Sequence, residues 1–244
     1  MKHTFADLHL RVNWKDQAAT ARMVTKAAAL GYALIAVPLA PETRTEEIAQ
    51  LRITCSDVGL DFAARVNLHP RSQNELLSQL RKLRRKFEVV CVLCETKEVS
   101  RQAAKDRRVD LLNFPLLNYH GRFFDRAEAE LASSALATLE VDVKPLLILQ
   151  GPTRIRLLAC LRREVAVARE YRLGVVVSSG VSEVMHLRKP REMAALASLF
   201  GLDSAAALEA VSENPVGIVR RNREKLSSGF VAPGIRVVKG GKDC

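Results

Sequence analysis

Three groups of residues in this chain have types and spacings that could do chemistry. The first is Asp7-Leu8-His9, close to the N-terminus. In an Asp-x-His-x-His run on one strand, both imidazoles face one metal ion, which can activate water for hydrolysis. Here the second imidazole position is Arg11. A guanidinium has no lone pair to give and repels a cation. The other histidines are His3, His69, His120 and His186. A metal-dependent phosphoesterase, the alternative reading, needs several of these to join His9 and Glu95 around one ion. The second group is Ser178-Ser179-Gly180, a small turn whose backbone N–H groups could hold a phosphate. It is not a nucleophile elbow, which requires G-x-S-x-G. The third is Cys91-Val92-Leu93-Cys94, which has zinc-ligand spacing but lies within a strand-like run. Three residues along a strand put the thiols on opposite faces, and no second pair completes four ligands. They read as buried free cysteines.

Cations are the stronger signal. The 244 residues carry 38 Lys and Arg against 27 Asp and Glu, a formal charge of +11. That excess favours a polyanionic partner, nucleic acid or an anionic membrane surface. The cations occur in runs: residues 81–86, 105–108, 154–172, 188–191 and 220–225. One such run is commonly a solvated helix face whose stems cover apolar surface. All of them together favour a surface that reads a phosphate backbone. Aromatic residues are only 5% of the chain, so no stacking platform is expected, although Phe123 and Phe124 adjoin Arg122.

These residues need a scaffold. Apolar, β-branched runs at residues 4–10, 33–39, 61–68, 88–94, 109–113, 138–143 and 174–177 read as strands. Helical patterns separate them. Asp16 caps one helix and Ser72 with Glu75 opens another, while residues 152–171 form the longest. The strands start about 20 to 35 residues apart, the length of a βα unit, so the sheet is parallel and covered by helices. Seven successive units predict an irregular TIM-like α/β barrel of about seven parallel strands. No eighth strand is evident. After the seventh come only helices, at 190–200, 203–211 and 215–226, the first opened by Pro190. Residues 1–226 read as one domain, and the glycine-rich segment 227–244 as a disordered tail.

The N-terminus has no secretory pattern, since Asp7 interrupts it. The longest uncharged apolar run, residues 31–41, falls short of the ~20 residues that span a bilayer. The expected setting is a soluble intracellular one, in the cytoplasm.

Several blocks together resemble the archaeal ribonuclease P protein component 3 family. They are Phe5-Ala6-Asp7-Leu8, Asp110-Leu111-Leu112-Asn113-Phe114-Pro115 and Val176-Val177-Ser178-Ser179-Gly180. They continue as Leu187-Arg188-Lys189-Pro190-Arg191-Glu192-Met193-Ala194-Ala195-Leu196, Phe200-Gly201-Leu202 and Val211-Ser212-Glu213-Asn214-Pro215. The resemblance spans nearly the whole chain except the tail. It implies a TIM-like barrel lacking a strand, related to metal-dependent hydrolase barrels but without their metal. It implies a non-catalytic subunit of a ribonucleoprotein endonuclease that removes the 5′ leader of precursor tRNA. The catalytic RNA, with its own Mg2+, would cut. The chain itself would bind no cofactor, and component 2 would be its direct partner among the other protein subunits.

Within that role, the expected RNA-contacting residues are Arg107, Arg108, Arg188, Lys189 and Arg191, gathered near the barrel rim around strands five and seven, together with Arg81 and Arg85. Purified protein should then contain no stoichiometric zinc or manganese. One equivalent by elemental analysis would restore the phosphoesterase reading.

Overall fold

The computed structural model describes residues 3–114, 122, 124–232 and 235–236. His120, Phe123 and Cys244 lie outside them. The chain alternates strictly at first: β1 (Ala6–Asp7), α1 (Gln17–Ala29), β2 (Leu34–Leu39), α2 (Thr45–Ser56), β3 (Asp61–Leu68) and α3 (Gln73–Leu83). Then come β4 (Val89–Leu93), α4 (Lys97–Lys105), β5 (Leu111–Asn113), α5 (Arg126–Ala135) and β6 (Thr138–Asp142). A short helix, α6 (Lys144–Ile148), precedes the long α7 (Gly151–Glu170) and β7 (Val175–Ser178). Three helices end the barrel: α8 (Pro190–Ser198), α9 (Ser204–Glu209) and α10 (Glu213–Leu226).

Local chemistry sets these boundaries. Asp16 accepts from the Ala19 N–H at 2.9 Å, and Ser72 accepts from the Glu75 N–H at 3.3 Å. Each satisfies one donor that a helix start leaves orphaned. Pro190 begins α8, and Gly201 takes φ +97° just after it, a conformation glycine adopts without steric cost.

The seven strands are parallel and neighbour one another in chain order, β1 to β7. Side chains alternate across them, so the sheet has two apolar faces. The outer face packs against the helices in the main core. The inner face forms a second cluster that includes Ala6, Leu34, Ala63, Val89, Leu111 and Val176. Cys91 belongs to the inner cluster and Cys94 to the outer core, as the strand spacing predicts.

β7 and β1 do not pair. At the C-terminal ends of the strands Gly180 donates to the His9 carbonyl at 3.0 Å, and Arg11 donates to that of Val181 at 2.9 Å. At the N-terminal ends the link between α9 and α10 fills the gap. Ala6 donates to the Val211 carbonyl at 3.0 Å and Val177 to that of Ala210 at 2.9 Å. Two residues of irregular backbone thus satisfy edges that an eighth strand would cover. β1 is correspondingly shorter than the residues 4–10 predicted from its apolar pattern.

α10 closes the floor, the end at which the strands begin. Its Ile218 and Val219 enter the inner cluster, and Asn214 donates to the Val175 carbonyl at 2.9 Å. Part of the segment assigned to a tail pairs as a hairpin, β8 (Phe230–Ala232) with β9 (Ile235–Arg236), against the end of α10. No helix among the described residues is long and apolar enough to cross a membrane. Ile218→Ala should open a cavity under the barrel and lower stability by about 2–5 kcal/mol in urea denaturation.

Candidate nucleic-acid interface

The inward-facing positions turn polar toward the C-terminal ends of the strands, the mouth of the barrel. Arg65 of β3, fully buried, points into the centre. Its two terminal nitrogens each donate to one oxygen of Glu140 in β6, both at 2.6 Å. Arg65 also donates to the Leu8 carbonyl and to Asn67 Oδ1, both at 2.7 Å. Glu140 accepts further from Ser178 Oγ at 2.7 Å and from Asn113 at 2.8 Å. Burial opposes the charge on Glu140, but the guanidinium outweighs it and holds the carboxyl far below the usual range.

Above this pair sit His9 and Asp142. His9 Nδ1 lies 2.8 Å from Asp142 Oδ1, and Asn67 approaches Nε2 at 3.3 Å. The network assigns the Nδ1–H tautomer, donating to the carboxylate. Gly180, at φ +64°, lets the chain pass: a Cβ there would lie 2.9 Å from Asp142 Cγ. Asp7 accepts the backbone N–H groups of His9 at 3.1 Å and Ser179 at 3.0 Å. Burial raises its pKa, and these bonds oppose the rise.

His9, Glu140 and Asp142 place their ligand atoms within 4.8 Å of one another. The set does not fit a divalent ion. Both Glu140 oxygens are engaged by Arg65, so an ion would face a guanidinium at close range. His69 and Glu95, the other residues of the phosphoesterase reading, stand apart from this cluster, 4.0 Å from each other with more than half of each side chain exposed. Nor is a thiol poised there: burial pushes Cys91 well above its ordinary value.

The Ser178-Ser179-Gly180 turn is corrected by the same geometry. Its amides are already used, Ser179 N–H by Asp7 and Gly180 N–H by the His9 carbonyl, and its side chains are buried. The turn seals β1 to β7 and has no donor left for a phosphate.

The basic residues also differ from expectation. Arg188, Lys189 and Arg191 follow β7 and lie at the mouth. Arg107 and Arg108 precede β5, and Arg81 and Arg85 flank the end of α3 ahead of β4, so these four lie at the floor. The five residues expected at one rim are split between opposite ends. Arg108 is occupied by Asp106, at 2.6 and 2.9 Å. Arg188 holds the carbonyls of Met185 at 2.9 Å and Leu187 at 3.0 Å. Lys189, Arg191, Arg81, Arg85 and Arg107 are exposed.

Sequence reasoning missed the Arg65–Glu140 pair and the buried pair of Arg122 with Glu164. A signal existed. Arg65 and Asn67, Glu140 and Asp142, and Asp7 and His9 each hold alternate positions at or beside an otherwise apolar strand, the mark of a polar inner face.

A family model described as RNase P subunit p30 matches residues 4–227. "Ribonuclease P protein component 3" of Methanosarcina barkeri is 34% identical over 72% of each chain. That of Halorubrum lacusprofundi is 30% identical over 90% of this chain and 92% of its own. Among solved structures, a chain of "archaeal Ribonuclease P with mature tRNA" superposes with a TM-score of 0.84 at 19% identity, covering 98% of this chain and all of that one.

Arg65→Met should cost about 3–5 kcal/mol, because it leaves Glu140 charged and unpaired. The pH dependence has a definite sign. A carboxyl held below its ordinary value of 4.5 stabilises the fold above that pH and loses its contribution as pH falls through the folded value. Denaturation midpoints at pH 3 and 6 should therefore differ less in the variant than in the parent chain.

Proposed function

The chain belongs to the RNase P subunit p30 family, and from that premise we propose how it serves a ribonucleoprotein endonuclease. It is a protein subunit of ribonuclease P and acts in tRNA maturation. In this reading the catalytic RNA, with Mg2+, removes the 5′ leader of precursor tRNA in the cytoplasm. The chain binds and supports that RNA, docks directly on component 2, and holds no cofactor of its own.

The barrel mouth is the observation that carries this division of labour. Where a hydrolase of this shape would keep ligands free for an ion, this chain has neutralised Glu140 with its own arginine. The cations on the outside support the rest. A large RNA folds only when its phosphate repulsion is screened, and protein cations that release condensed counterions supply part of that screening. Lys189 and Arg191 at the mouth and Arg81, Arg85 and Arg107 at the floor are the exposed side chains suited to it. Arg188 and Arg108, tied to neighbouring groups, serve through the part of the guanidinium left free.

Reconstitution tests the reading. Omitting this chain from a mixture of the RNA and the other subunits should slow precursor-tRNA cleavage at limiting Mg2+; an unchanged rate rejects the subunit role. Arg188→Glu with Arg191→Glu should weaken RNA binding by about tenfold and flatten its salt dependence, unless the mouth makes no backbone contact.

A further inference from the structure

The N-terminal face of the barrel carries a furrow made of three adjoining depressions. One lies against Arg172 beside Gly174 and Asn214. The next shares Gly174 and Asn214 with it and adds Arg220 and Arg221. The third shares Arg221 with the second and adds Arg107, Lys225 and Phe230, enclosing about 550 Å³. The furrow thus runs under the start of β7, past α10, to the hairpin that follows it.

Four of its cations have no partner among the described residues. Arg107, Arg172, Arg220 and Lys225 are exposed and make no side-chain hydrogen bond or ion pair among the described residues. This separates them from Arg223, which is bound to Asp61 and Glu88 beside the same helix. Arg221 is partly engaged: it shares the buried Asp110 with Arg84, at 3.2 and 2.6 Å respectively. Among the described residues, the last lobe therefore sets Arg107, Arg221 and Lys225 against one lining carboxylate, Glu224. Burial, then the charges of Arg221, Arg84 and Arg107, push the Lys225 ammonium below its ordinary value despite Asp110. A local excess of positive charge of this kind lowers its energy by taking up an anion.

The lobe is not only cationic. Ala135, Leu136 and Phe230 line it, and Leu136 is more than half exposed at φ +67°. An apolar wall with an aromatic ring beside three cations has the composition that accepts a base against the ring and its phosphate on the cations. A simple anion would use the cations and leave the wall wet. A duplex keeps its bases paired and stacked and offers none to the ring.

We propose that this furrow is a binding site for an unpaired RNA segment, its backbone along Arg172, Arg220 and Arg107 and one unstacked base against Phe230 in the lobe closed by Lys225. The proposal rests on the reading of the chain as an RNA-binding subunit, and it moves one RNA contact to the floor of the barrel, opposite the mouth.

The test uses the full chain and an in vitro transcript of the Methanosarcina barkeri ribonuclease P RNA, with binding titrated across salt. Arg107→Ala with Lys225→Ala should lower affinity and reduce the slope of log affinity against log salt by about 1.5, the loss of two phosphate contacts. Phe230→Ala should weaken binding about tenfold with the slope kept, and Phe230→Tyr should restore it. Thermal melting of the Arg107/Lys225 variant should match the parent chain, since neither cation has a side-chain partner among the described residues. Parent-like affinity and slope in the Arg107/Lys225 variant overturn the furrow. Normal RNA binding with lost reconstituted cleavage also overturns it, and assigns the floor to a protein partner. A parent chain that binds the transcript at no salt concentration fails differently, removing the RNA-binding reading itself.

Discussion

A guanidinium buried at the axis of a barrel demands a partner. Arg65 has no exposure to solvent, and an isolated charge there would cost far more than the fold could supply. Glu140 answers it with two 2.6 Å hydrogen bonds, and Asn67, Asn113, Ser178 and the Leu8 carbonyl take up the remaining donors and acceptors. The pair joins β3 to β6 across the barrel, and its neighbours draw in β1, β5 and β7. Satisfying one buried cation therefore fixes the relative placement of five strands. It also shapes the chemistry of the mouth: an ion approaching Glu140 would meet the guanidinium that already holds both of its oxygens.

The same chain meets a second constraint at its open seam. Seven parallel strands leave two edges, and unpaired edges are a hazard. Here one end of the seam is sealed by the Ser178–Gly180 turn and the other by Ala210 and Val211. Because that second seal comes from the link into α10, the helix must run beneath the barrel, where Ile218 and Val219 fill the bottom of the inner core. The floor is thereby built from a helix whose outer side is strongly basic. Closing the fold and presenting cations at its N-terminal end are two consequences of one chain path.

Burial separates structural cations from available ones. Arg65 and Arg122 are internal, and Arg84, Arg221 and Arg223 knit the floor through Asp110, Asp61 and Glu88. Exposed arginines and lysines with no side-chain partner among the described residues remain at both ends of the barrel. A formal charge of +11 describes their sum, but a polyanion meets only the second kind.

Much of this was legible in the chain itself. Period-two apolar runs alternating with capped helical patterns specify βα units, and seven of them specify a parallel barrel, because local periodicity and chain direction need no distant partner. Arg11 in place of a second histidine already argued against a metal at the first strand. The end of the barrel at which each cation sits was implicit as well: residues before a strand lie at the floor and those after it at the mouth, a rule that separates Arg107 from Arg188. Tertiary structure alone decided the pairings. Nothing local tells Arg65 that its carboxylate is 75 residues away, that the amides of Ser179 and Gly180 are already bound, or that Ala210 and Val211 stand where a strand is missing. Those outcomes depend on which groups the closed barrel brings within hydrogen-bond distance, and sequence separation carries no measure of that distance.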